Sequence, residues 1–227
     1  GNITKQYALS YNHKENNVLI GGSPRHDKFF NYTSPKCENG IILLATTGTM
    51  FLSSDSCITN SQIKYDNYIR EIYRIVKSLP DKKLVIKSHP SQILKKFVKD
   101  LIKDIDPSIE IVENSTNQEL FNNCEMLITF NNSTTTLEAM SLDTPVISLQ
   151  TENWANEDDI AQSDAIVSIS KISDCEDAIK NILYNAEFKK SLLEKSHVFL
   201  NGYMSNPGNA SHNIVLMLKN LIKKNSC

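Results

Sequence analysis

The stretch that decides the fold is Met126-Leu127-Ile128-Thr129-Phe130, followed by Asn131-Asn132-Ser133-Thr134-Thr135-Thr136 and then Leu137-Glu138-Ala139-Met140. Five apolar-rich residues without alternation read as a strand buried on both faces of a sheet. A polar cluster that includes four consecutive hydroxyls follows, and Leu137, Ala139 and Met140 then open a short helix. A buried strand, a polar turn and a helix make a βα unit.

Similar runs lie along the rest of the chain. They are Val18-Leu19-Ile20-Gly21, Ile41-Ile42-Leu43-Leu44-Ala45, Leu84-Val85-Ile86-Lys87, Ile109-Glu110-Ile111-Val112, Pro145-Val146-Ile147-Ser148-Leu149 and Ala165-Ile166-Val167-Ser168-Ile169. Between them, Ile63 to Val76 and Leu94 to Ile102 repeat their apolar residues at helical spacing, and Leu120-Phe121 marks a shorter helix. Alternating strands and helices predict right-handed βαβ units. The expected fold is α/β, a Rossmann-like parallel sheet of six or seven strands with helices on both faces. Residues 178–227 carry no strand-like run and read as a helical extension, interrupted at Gly202 and at Asn206-Pro207-Gly208. No linker divides the sequence, so 1–227 reads as a single nucleotide-binding domain.

Bulk properties exclude several functions. The 227 residues are 40% hydrophobic and 22% charged, with a net charge of −2, so there is no basic footprint for nucleic acid. No apolar run approaches the ~18 residues of a membrane span. Gly1 to Lys5 lacks a hydrophobic signal core. The five cysteines are widely spaced and form no CxxC, which fits free thiols in a reducing cytoplasm better than disulfides or zinc.

In an open parallel sheet, ligands bind beyond the C-terminal strand ends. Polar clusters follow four of the runs: Gly21-Gly22-Ser23-Pro24-Arg25-His26-Asp27, Thr46-Thr47-Gly48-Thr49, Ser88-His89-Pro90 and the Ser133 cluster. A helix starting at Ser133 or Thr134 offers unpaired N–H groups and a positive dipole end to a phosphate. An ordinary N-cap needs only one of the hydroxyls. Glu138, one turn on, is placed to accept hydrogen bonds from ribose hydroxyls, or else is a solvated carboxylate.

His89, extended by the following Pro90, can donate to a phosphate or act as an acid for a leaving one, or simply cap the next helix. Gly48, between Thr47 and Thr49, suits close backbone approach to a ligand. Arg25 can clamp a phosphate or acceptor, or pair with Asp27. Trp154 either stacks on a base or packs. The remaining histidines, His13, His26, His197 and His212, show no metal-ligand spacing. Neither GxGxxG nor GxxxxGK[ST] occurs.

These motifs, taken in order, resemble the C-terminal domain of GT-B-fold transferases that build bacterial surface polysaccharides. The matching segments are Gly22-Ser23-Pro24-Arg25-His26-Asp27, Lys87-Ser88-His89-Pro90, Asn132 to Met140, and Thr144-Pro145-Val146-Ile147. They are similar to teichoic-acid glycerophosphate transferases, to sialyl- and Kdo-transferases with HP and Ser-Ser/Thr motifs, and to non-hydrolysing UDP-N-acetylglucosamine 2-epimerases. Asn132 departs from the glycerophosphate pattern, which tends to an aromatic there, and this leaves the donor open.

The resemblance implies one half of a GT-B fold that binds a CMP-, CDP- or UDP-activated donor, the sugar or glycerol phosphate going to a polysaccharide (capsule included) or glycolipid acceptor. It assigns His89 to the donor phosphate and its departure, Ser133 and Thr134 to the phosphate, and Glu138 to the ribose. Thr47, Gly48, Thr49, Pro90 and Asn132 join them on the nucleotide side. No metal or other cofactor is expected, since the fold often dispenses with one and no Asp-x-Asp is present. The N-terminal acceptor domain, which usually carries the catalytic base, is expected to be a missing partner, leaving this chain inactive or weakly active alone. The expected location is the cytoplasm, with possible peripheral association of the full-length protein at the inner face of the membrane. The alternatives are a 2-epimerase-like isomerase and a non-catalytic nucleotide-binding module.

Overall fold

The computed structural model describes residues 2–11, 13–46, 55–90, 92–131, 133–151 and 159–225. In chain order the elements are α1 (Asn2–Ser10), α2 (Pro24–Phe30), β1 (Ile41–Ala45), α3 (Asp55–Ser78), β2 (Lys83–Lys87), α4 (Gln92–Ile105), β3 (Glu110–Val112), α5 (Asn117–Asn122) and β4 (Met126–Phe130). They continue as α6 (Thr134–Met140), β5 (Val146–Leu149), α7 (Asp159–Gln162), β6 (Val167–Ile169), α8 (Cys175–Tyr184), α9 (Ala186–Tyr203) and α10 (Ala210–Asn225). Two compact units form, one from 1–33 with 197–227 and the other from 34–196.

The 34–196 unit holds a six-stranded sheet, every pair parallel, in the order β3-β2-β1-β4-β5-β6. The order reverses between β1 and β4. Right-handed crossovers therefore send α3 and α4 to one face and α5 and α6 to the other. This is the Rossmann-like arrangement expected from the continuous apolar runs. Ile42, Leu44, Leu84, Ile86, Ile128 and Ile147 point into a core closed by Ile69, Ile72, Ile75, Ile102 and Ile179. Full burial of one such side chain contributes roughly 1.5–3 kcal/mol, so this layer dominates the unit's stability. The capping box at α5, in which Thr116 and Glu119 satisfy each other's backbone N–H groups, fixes where that helix begins.

The seventh expected strand is absent. Val18–Gly21 forms no strand, although three apolar residues in a row read as one. Its last carbonyl and the glycine that follows are engaged elsewhere in the 1–33/197–227 unit. Asn206 Nδ2 donates to the Gly21 carbonyl at 3.3 Å, and Gly22 sits at φ 94° with the Ser205 carbonyl 2.3 Å from where a Cβ would stand. Only glycine fits that approach. In the same unit the Asp27 carboxylate caps α10, accepting from the N–H groups of Ala210 and Ser211 at 2.9 and 2.8 Å.

Candidate functional site

The order reversal places the ends of β1 and β4 side by side, and such a switch point opens a crevice beyond the carboxyl ends of the strands. Residues Thr46, Ser88 with His89, Asn131 and Gln150 leave β1, β2, β4 and β5 at this rim.

The turn after β4 is held rigidly. Asn131 adopts φ 50°, a left-handed conformation that asparagine tolerates better than most residues. Its Nδ2 donates to Thr151 Oγ1 at 2.9 Å, while its Oδ1 accepts from Thr151 N at 2.9 Å and from Thr151 Oγ1 at 3.2 Å. Its carbonyl accepts from Ser148 Oγ at 2.8 Å. The chain then enters α6 with Ser133 as the N-cap, its Oγ accepting from Thr135 N at 3.3 Å. Ser133 Oγ and Thr135 Oγ1 share a hydrogen bond at 2.6 Å. Thr134, the first helical residue, is exposed. Capping and ligand binding are therefore not exclusive here: Ser133 caps, and Thr134 stands open beside it.

Glu138 is 2% exposed, so the solvated alternative is overturned. Its position faces inward because α6 lays Thr136 to Met140 into the unit. Asn117 Nδ2, at the start of α5, donates to Glu138 Oε2. His89 is half-buried, and its backbone N–H donates to Thr46 Oγ1 at 2.7 Å. Burial, and then the charge of Lys87, hold its imidazole below the ordinary range. The ring is consequently neutral near pH 7, with one nitrogen able to donate and one to accept. Pro90 is exposed just beyond it.

Buried polar atoms without a hydrogen-bond partner are rare in folded proteins. Three lie at this rim among the described residues: Ser88 Oγ, Thr136 Oγ1 and Gln150 Oε1. Among the described residues no group of three or more His, Cys, Asp or Glu side chains could hold a metal ion.

The structure thus gathers His89, Pro90, Ser133, Thr134 and Glu138 within one unit. Arg25 belongs to the other unit, where it is exposed on α2, and Asp27, its suggested ion-pair partner, serves α10. Thr47, Gly48, Thr49, Asn132 and Trp154 lie outside the described residues. Sequence reasoning missed Asn117 and Thr151, and quoted Thr46 within the rim cluster without a role; all three position the others. It quoted Asn131 without giving it a role.

The model for the LIC12162 family transferases matches residues 10–165. The chain belongs to the LIC12162 family of transferases. No curated protein matches it. Among solved structures, this family member is similar to MnaA of S. aureus in a co-structure with UDP, at 18% identity and a TM-score of 0.67 over 96% of this chain and 58% of that one. It is also similar to UDP-GlcNAc 2-epimerase from Neisseria meningitidis bound to UDP-GlcNAc, at 18% identity and 0.58 over 95% and 58%. A third is the spinosyn rhamnosyltransferase SpnG, at 16% identity and 0.54 over 89% and 50%. At these identities the likeness is one of fold, that of half a GT-B chain. The chain spans between 50% and 58% of the length of these three structures.

Proposed function

We propose that this LIC12162 family chain is the donor-binding half of a glycosyltransferase, taking a CMP-, CDP- or UDP-activated sugar or glycerol phosphate for transfer to a surface polysaccharide or glycolipid. The observation that carries this reading is the Ser133–Thr134 helix start at the switch point, with His89 and Glu138 in the same unit. The backbone N–H groups and hydroxyls at α6 stabilise the negative charge of a departing nucleotide, and a neutral His89 donates to its phosphate. Glu138 accepts from the ribose. No covalent intermediate is required of these residues.

We further propose that the acceptor site and the catalytic base lie on a partner domain outside this chain. The chain alone then binds nucleotide and turns over little, without a metal. The full-length protein works in the cytoplasm, at the inner membrane face; among the described residues no helix is long and apolar enough to cross a membrane. The test is nucleotide binding by the chain and by its Ser133→Ala, Thr134→Ala double variant.

A second reading, a 2-epimerase-like isomerase, is favoured by the likeness to two structures of that name or ligand, one holding UDP and one UDP-GlcNAc. Isomerisation of a UDP-sugar without any acceptor would establish it. A chain with full function after loss of both hydroxyls would instead be a non-catalytic module.

A further inference from the structure

Strand alternation places Leu84 and Ile86 against α3 and α4, and Val85 and Lys87 on the opposite face, that of α5 and α6. Lys87 is the last residue of β2, paired with Ala45 and Val112, so its ammonium emerges at the C-terminal rim two residues before His89. It is half-buried, and its ammonium makes no hydrogen bond or ion pair among the described residues. That sets it apart from the other half-buried lysines of this unit. Lys36, Lys82, Lys95 and Lys189 all donate to protein oxygens. Burial pushes the Lys87 amine down, and the negative charge of Glu138 pulls it back up, so the two groups feel one another.

If the unit binds a nucleotide as proposed, the charges at the rim must balance. A diphosphate at this rim meets the buried Glu138 carboxylate and an uncharged His89. The N–H groups at the start of α6 offer the phosphates partial charges only, so without a full positive charge nearby the Glu138 carboxylate opposes a bound anion. We propose that Lys87 is a further phosphate ligand of the site, beside the α6 helix start and His89, its ammonium offsetting Glu138 in the free chain and turning to the phosphates of a nucleoside diphosphate when one binds. The ligand is then divided in two, its phosphates toward Lys87 and the α6 helix start and its ribose toward Glu138.

The test titrates the chain and its Lys87→Met variant with UDP and uridine, and with CDP and cytidine, using calorimetry for the diphosphates and ligand-observed NMR for the nucleosides. The expected result is a loss of about tenfold or more in diphosphate affinity with nucleoside affinity unchanged, as for a lost charge-assisted hydrogen bond. The Lys87→Arg variant should recover much of it. Where Lys87→Met does not fold, Lys87→Gln takes its place. Diphosphate binding that survives the substitution, or equal losses for nucleoside and diphosphate, would overturn Lys87 as a phosphate ligand and leave the nucleotide site standing. A wild-type chain that binds none of the four ligands would overturn the site reading and this inference together.

Discussion

The hydroxyl of Thr46, at the end of β1, accepts the backbone N–H of His89 at 2.7 Å and donates to the Lys87 carbonyl at 3.2 Å. One side chain thereby locks the turn after β2 to the turn after β1, two segments that meet only because their strands pair. Thr46→Val keeps the shape and removes the hydroxyl, leaving a half-buried N–H unpaired. The expected cost is about 1–3 kcal/mol in denaturant unfolding, with weaker nucleotide binding. Thr46→Ser should restore both.

Asn131 combines a left-handed backbone with three hydrogen bonds to Thr151. Asn131→Ala loses the bonds and strains the backbone, while Asn131→Gly loses only the bonds. Urea denaturation should show both destabilised, the alanine variant more by about 1 kcal/mol. Equal stabilities would mean that the φ at this turn is not the strained feature the fold implies.

His89 should titrate below the ordinary histidine value of about 6.5. The sign for stability follows from linkage. With the folded pKa depressed, the unfolded chain takes up the proton first as pH falls below about 6.5, so stability declines there and levels off below the folded pKa. NMR titration of the His89 ring, assigned with His89→Gln, gives the midpoint, and Lys87→Met should raise it. A midpoint at or above 6.5 would contradict the geometry.

Much of the 34–196 unit was legible because its signals are local. Continuous runs at Ile41–Ala45 and Met126–Phe130 announce strands covered on both faces, and helical spacing from Ile63 to Val76 announces α3. Ser133 as an N-cap is a local signal too. Strand order is not local, so the reversal between β1 and β4 that makes the site was invisible. So were the bonds joining Thr46 to His89 and Asn117 to Glu138, whose partners lie 43 and 21 residues apart. Val18–Gly21 misled because three apolar residues carry no information on whether a neighbouring strand exists. Asn131 had a usable signal: an asparagine directly after a buried strand is a candidate for the left-handed region.

Glu138, buried with one carboxylate oxygen held by Asn117, has its assigned part in the ribose. The wild-type chain should bind its preferred nucleotide about tenfold more tightly than the 2′-deoxy counterpart, and Glu138→Gln should shrink that preference. Calorimetry with the ligand pair reads it. No preference in the wild type would remove Glu138 from the ribose site.

The central claim is that the Ser133–Thr134 helix start receives the phosphates of a nucleotide. Thermal unfolding of the chain against CMP, CDP, UDP and GDP measures it most directly, because a ligand bound only by the folded state raises the melting temperature with concentration. The account predicts a concentration-dependent rise for one pyrimidine nucleotide, lost in the Ser133→Ala, Thr134→Ala variant even though that variant still folds at a cost of about 1 kcal/mol for the missing cap. A melting temperature indifferent to all four nucleotides, or a rise undiminished in the variant, would contradict it.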